Sequence, residues 1–235
     1  MKTRQEIKAI GKARFKSNYW NCVLALLLVT AVLGALSWFS GGEVIHQISG
    51  GDPGRVNVTL RYNAMNLITL LIAGPLNVGL NSFFVKNVLG TGEELTVTSP
   101  FREAFQNYPR KLGGSLWMAL FIFLWSLLLL IPGLIKTISY SMTQYILADC
   151  PEVRAKDALK LSMRMMNGHK WEFFVLLLSF LGWGILTVLT LGILGVFYVG
   201  PYQKSSFAAY YLEIKREALR TGAVTREQLD GLQPV

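Results

Sequence analysis

Residues Leu112–Leu134 contain no ionisable side chain. Two further windows come close. Cys22–Ser40 has only the thiol of Cys22, and Phe173–Tyr202 has only the hydroxyls of Tyr198 and Tyr202. At 1.5 Å per residue, about 20 apolar residues cross the roughly 30 Å hydrocarbon core of a bilayer. A soluble fold of 235 residues would have to bury several helices that are apolar on every side. These windows therefore indicate an all-α, polytopic membrane protein. The charged fraction of 16% agrees, because soluble domains carry about 25%.

Six spans follow from the pattern: Cys22–Ser40, Ala64–Val85, Leu112–Ile131, Gly133–Ala148, Phe173–Leu189 and Ile193–Leu212. Gly74 and Pro75 interrupt the second. The motifs "LIPGL" and "TLGILG" read as tight hairpin turns, the first placed at Pro132-Gly133, since proline and glycine end helices or reverse the chain. Residues 41–62 read as a longer loop on the same side. Four spans with re-entrant segments is the alternative, because the second span is interrupted and the fourth is short.

Cations set the orientation. Segments 1–21, 86–111, 150–170 and 203–235 hold six, four, five and five Lys or Arg residues, and the rest of the chain holds only Arg55, Arg61 and Lys136. Cytoplasmic segments of membrane proteins concentrate such residues, so both termini are expected in the cytoplasm. The net charge of +9 then needs no nucleic acid to account for it. The first apolar run begins too late for a cleavable signal, so it is read as a retained span. Cys22 and Cys150 fall on the cytoplasmic side, where a disulfide is not expected.

The chain also divides into three similar units, about 3–90, 99–149 and 150–213, within one membrane domain 1–215, with a polar cytoplasmic tail at 216–235. Each unit opens with a basic amphipathic helix and ends with a span opening near a Pro/Gly pair: Gly74-Pro75, Pro132-Gly133 or Gly200-Pro201. In "TRQEIKAIGKARFKSNYW", Arg4, Lys8, Lys12 and Lys16 form one stripe, with Ile7, Ile10 and Ala13 largely opposite. In the second unit Ser99 reads as an N-cap before Pro100. In the third, Asp149 and Glu152 have capping-box spacing, and Lys156, Lys160 and Arg164 lie opposite Ala158, Leu159 and Ser162. Such helices lie in the headgroup plane and attract anionic lipid. Trp20 and Trp171 stand where interfacial aromatic belts form.

"IPGLIKTISYSMTQYILADCP", then A-x-D-A-L-x-L-S-x-x-M-M-x-G-x-K-W, then "LSFLGWGILTVLTLGILGVFYVGPY" resemble the bacterial integral-membrane family named domain of unknown function 975. The likeness runs over about residues 3–213. "DCP" stands where members often have Asp-Asn-Pro. The resemblance implies a multi-pass protein of the bacterial plasma membrane and no established activity. A looser likeness to the membrane region of some glycerophosphodiester phosphodiesterases carries no activity over, because their catalytic domain is missing from this chain.

Enzymatic chemistry has little to stand on. His46 and His169 fall on opposite faces, no nucleophile elbow occurs, and the core lacks a pair of acids or bases. No phosphate-binding glycine-lysine loop occurs either. Neither a cofactor nor a metal is indicated. Two functions stay open. One is a lipid-engaging or membrane-organising scaffold, with Arg4, Lys8, Lys12, Lys16, Lys156, Lys160 and Arg164 on headgroups. The other is a transporter or permease-like component with a polar pathway. Asn77, Asn81, Lys136, Gln144, Gln203 and Lys204 are its candidates, since ionisable and polar groups inside a membrane mark functional sites, but they can equally form a packing seam between helices. Anionic lipids are the expected partners; a homo-oligomer or another membrane partner stays open.

Overall fold

In a computed structural model, residues 1–41, 55–90, 95–128 and 130–232 are described, with side chains for all of these except 39–41, 55–65, 128 and 130–132. Helices are the regular structure of the described residues, with no strand among them. The helices are α1 (Arg4–Ser17), α2 (Tyr19–Gly41), α3 (Arg55–Leu89), α4 (Ser99–Phe105), α5 (Tyr108–Leu128), α6 (Leu130–Tyr140), α7 (Thr143–Asp149), α8 (Ala155–Met165), α9 (Lys170–Leu178), α10 (Leu181–Leu189), α11 (Gly200–Arg220) and α12 (Arg226–Leu229). A π-helical turn, Gly195–Val199, leads into α11.

Among the described residues, three stretches are long and apolar enough to cross a membrane: Tyr19–Trp38, Asn66–Leu89 and Lys170–Leu189. The middle one is the axis of the fold. Over half of its apolar window is buried, against 17% for Lys170–Leu189. The latter instead shows Leu181, Ile185, Val188 and Leu189 outward.

The interruption expected at Gly74-Pro75 does not occur, because α3 runs through Pro75 as one helix of 35 residues. Proline has no N–H, so the carbonyl of Leu71 loses its helical donor. The Tyr108 hydroxyl donates to that carbonyl at 3.2 Å and replaces the bond. Gly74 meanwhile lets α5 approach, since a Cβ there would lie 2.6 Å from Ser115 Cβ. Tyr108→Phe should thus leave a part-buried carbonyl unpaired and cost about 1 kcal/mol in an unfolding titration, while conserving ring volume.

Gly200-Pro201 is no break either. The π turn shifts the register, so Gly200 N–H donates to the Gly195 carbonyl, and Pro201 enters α11 in its first turn where no donor is needed. The hairpin between α5 and α6 does form. Gly133 lies against Ser126, and the Phe121 and Tyr140 rings are 6.4 Å apart. Pro132 and Gly133, however, sit in the first turn of α6. The expected fourth span is divided at Ser141–Met142 into α6 and α7. There the Ser141 hydroxyl bonds the Ile138 carbonyl, and the Ser162 hydroxyl bonds that of Ser139. Such side-chain donors offer the backbone an alternative to the helical ladder. The "TLGILG" turn is also present, with Leu191 and Gly192 at positive φ (51° and 88°).

Other expectations shift by local detail. Of the loop expected at 41–62, Gly41 ends α2 and residues 55–62 open α3; its remainder, with His46, lies outside the described residues. Thr98 rather than Ser99 is the N-cap of α4. Arg154 rather than Asp149 is the N-cap of α8, because Asp149 is the last residue of α7 and five residues, 150–154, separate it from the start of α8. The tail is folded as far as Leu229, which is buried in α12 behind a Thr225–Gln228 capping box.

Candidate functional site

The four cation-rich segments meet at one end of the molecule, and hydrogen bonds join them in a closed circuit. Asn87 Nδ2 donates to the Arg14 carbonyl at 3.2 Å, tying α3 to α1. Arg110 donates to the carbonyls of Leu147 (2.5 Å), Cys150 (2.9 Å) and Val153 (2.6 Å), tying α5 to the end of α7. Lys215 Nζ meets Asp149 Oδ2 at 2.5 Å, where the Tyr211 hydroxyl also donates at 2.8 Å. The Lys2 N–H closes the ring on Glu213 at 3.0 Å. Lys86 pairs with Glu103 at 2.9 Å, and Lys111 donates to the Glu103 carbonyl. Cys22 and Cys150 are free and buried.

Burial sorts the cations named for headgroup contact. Arg4, Lys12, Lys16, Lys156, Lys160 and Arg164 are exposed. Lys8 is turned inward. Its ammonium donates to Ser179 Oγ at 3.2 Å and lies 4.4 Å from the centre of the Phe180 ring. Burial, with the charge of Arg4 added, pushes that ammonium below the ordinary lysine value.

The reason is the course of α1. It lies along α11 in the opposite sense, with Lys2 near Glu213, Gly11 against Ser206, and the Phe15 ring 5.7 Å from that of Tyr198. Its buried face is therefore Ile7, Gly11 and Phe15; Ile10 is half-buried and Ala13 exposed. A Cβ at Gly11 would stand 2.7 Å from Ser206 Cα, so glycine sets that approach. Helix α8 buries Ala158, Leu159, Leu161, Ser162 and Met165. In both helices the apolar face packs on the protein itself. Apart from Lys8, the cations named for headgroup contact remain outward, and so do Trp20 and Trp171, at 65% and 71% exposure.

The polar candidates divide likewise. Lys204 Nζ donates to Asn81 Oδ1 at 3.1 Å, and Asn81 Nδ2 donates to Gln144 Oε1 at 3.2 Å. One residue each from α11, α3 and α7 thus forms a single chain of bonds. Asn81 is buried, while Lys204 and Gln144 are half-buried. Asn77 turns back to the Ala73 carbonyl at 2.9 Å. Lys136 stands 4.6 Å over the Trp125 ring, and Gln203 joins none of these bonds. The small residues after each Pro/Gly pair are packed, with Ser82, Ser139, Ser205 and Ser206 all buried.

Residues 127–218 match the model of a family described as Protein of unknown function (DUF975). That is the family the sequence resembles, matched here over the second half of the chain. The DUF975 stretch contributes Gln144, Asp149, Lys204, Tyr211 and Lys215; α3 and α5, outside it, contribute Asn81 and Arg110. No curated protein and no solved structure matches the chain.

Sequence reasoning missed Arg110, Tyr108, Tyr211 and Lys215 as partners. Each bonds a group at least 37 residues away in the chain, and two of them meet backbone carbonyls, which no residue pattern marks.

Proposed function

We propose that the chain is a multi-pass protein of the bacterial plasma membrane that engages anionic lipid through its cation-rich end, with that end and both termini in the cytoplasm. The observation that supports this is the bonding of the four cation-rich segments to one another, with Arg4, Lys12, Lys16, Lys156, Lys160 and Arg164 exposed on them and Trp20 and Trp171 outward on or beside them. Interfacial tryptophans and juxtamembrane cations are the two ordinary anchors of a protein at a charged bilayer face.

In this reading the crossings are α2, α3, α5, α6 with α7, α9 with α10, and the π turn with α11, six in all. The α5–α6 hairpin and the turn at Gly192 support the even count. The three-unit division keeps its place as the plan of those crossings. Because α1 and α8 bury their apolar faces on the protein, lipid contact is by charge rather than by insertion. Charge contact is screened by salt, with a Debye length of about 8 Å at physiological ionic strength.

Juxtamembrane cations contribute about 1 kcal/mol each to anionic-lipid attraction. Lys12→Gln/Lys16→Gln should accordingly lower the preference for phosphatidylglycerol over phosphatidylcholine by roughly thirtyfold. Native mass spectrometry of lipids retained from mixed nanodiscs reads that preference. An unchanged preference in the double variant would sink the role given to α1. The second reading, a polar pathway, is favoured by one observation, the bonding of Lys204, Asn81 and Gln144.

A further inference from the structure

We infer that Lys204, Asn81 and Gln144 form a binding site for a single oxyanion, a carboxylate or phosphate group, inside the helix bundle. This goes beyond lipid contact at the surface. Lys204 lies 11 residues before Lys215 on α11, roughly 16 Å along the helix at 1.5 Å per residue, so the site sits well within the ring of bonds at the cation-rich end.

The balance of donors and acceptors carries the inference. The Lys204 ammonium has three donors, and its one hydrogen-bond acceptor among the described residues is a neutral amide oxygen at 3.1 Å. No ion pair joins it to a carboxylate among those residues, whereas Lys86 and Lys215 both have one. Asn81 is polarised by that ammonium. Its oxygen faces Lys204, which aims its amide N–H at Gln144 Oε1. The Gln144 amide nitrogen then keeps both donors, with no acceptor among the described residues.

Two N–H groups on the lysine and two on the glutamine thus flank one buried amide, with a full positive charge and no negative one. An oxyanion supplies what is missing: charge for the ammonium and lone pairs for all four donors. Lys204 and Gln144 are half-buried, so both stay reachable by a ligand. Ser162 and Asn77 each close on a backbone carbonyl, of Ser139 and Ala73, whereas the spare donors of Lys204 and Gln144 meet no acceptor among the described residues.

The anion can come from a soluble solute or from an amphiphile entering between helices, and the same titration separates the two. The full chain, in zwitterionic micelles, is titrated with inorganic phosphate, with decanoate below its micellar concentration, and with phosphatidylglycerol, and its thermal unfolding midpoint is followed. At least one probe should raise the midpoint saturably. Its apparent affinity should fall tenfold or more in Lys204→Gln and in Gln144→Leu, and survive in Lys204→Arg and in Lys12→Gln/Lys16→Gln. A phosphate response identifies a soluble anion; a response to decanoate or phosphatidylglycerol alone identifies an amphiphile. If Lys204→Gln does not fold, Gln144→Leu carries the test, since it keeps the ammonium and its bond to Asn81. The inference is overturned if no probe gives a saturable shift, or if the shift survives both site variants. A shift lost only in the Lys12/Lys16 variant would support the surface reading and reject this site.

Discussion

Arg110→Met should lower the unfolding free energy by about 3–5 kcal/mol, measured by titration in mixed micelles. The guanidinium serves three carbonyls, of Leu147, Cys150 and Val153, where α7 ends and the chain turns towards α8. Hydrogen bonds with a charged partner contribute about 1.5–3 kcal/mol each, and a buried acceptor left unpaired carries its full desolvation cost. The charge also faces the negative end of the α7 dipole. Arg110→Lys should recover less than half, because an ammonium cannot fork to separate carbonyls as a guanidinium does. A loss under 1 kcal/mol in Arg110→Met would mean that α7 and α8 hold their junction without it.

The second large effect is expected at Asp149. This carboxylate accepts from both Tyr211 and Lys215. Asp149→Leu should cost about 2–4 kcal/mol, somewhat below the range for fully buried pairs because both side chains keep some exposure. Most of that cost is the lysine left without its counter-charge. Adding Lys215→Met should therefore restore at least half of the loss, which a double-mutant cycle measures. Equal losses that simply add would show that the two residues act independently.

The pH dependence of this pair has a definite sign. Burial pushes the Lys215 ammonium down, but Cys150 and Asp149 push it up by more, to a net value above the ordinary 10.5. A group raised in the folded state contributes fully below its unfolded value and loses that contribution as pH rises through the folded one. The lysine's share should be flat between pH 7 and 9 and decline only above about pH 10.5.

The gathering of four distant segments at one end was legible from charge alone. Lys and Arg report on which side of a membrane a segment lies, whatever its helices do locally. The α5–α6 hairpin was legible for the same reason, since Arg110 and Lys156 had to share a side. Helix continuity was not. Gly74-Pro75 read as an interruption and Gly200-Pro201 as a pair near which a span opens, yet both lie in continuous helical chain. The outcome at a proline depends on whether the freed carbonyl finds a donor or the register shifts, and Tyr108 and the π turn supply those answers from elsewhere in the fold.

The candidate site was half legible. Asn81, Gln144 and Lys204 stood out as polar residues in apolar surroundings, and three helices bring them together. Asn77, Lys136 and Gln203 stood out equally and were left apart, because hydropathy does not tell which face of a helix meets another. Lys8 shows the same limit. Its four-residue spacing with Arg4, Lys12 and Lys16 placed it on a headgroup stripe, while the packing of α1 on α11 turns it onto Ser179 and Phe180. Gly11 carried no apolar signal, but its lack of a side chain fixes that packing.

Quenching of Trp20 and Trp171 by brominated lipids tests the central claim most directly. With Trp38, Trp117, Trp125 and Trp183 replaced by phenylalanine, these two exposed rings report the lipid beside the first and third cation-rich segments. Brominated phosphatidylglycerol should quench them more strongly than brominated phosphatidylcholine at equal mole fraction, and the difference should shrink as salt is raised. Equal quenching by the two lipids at low salt would contradict the account.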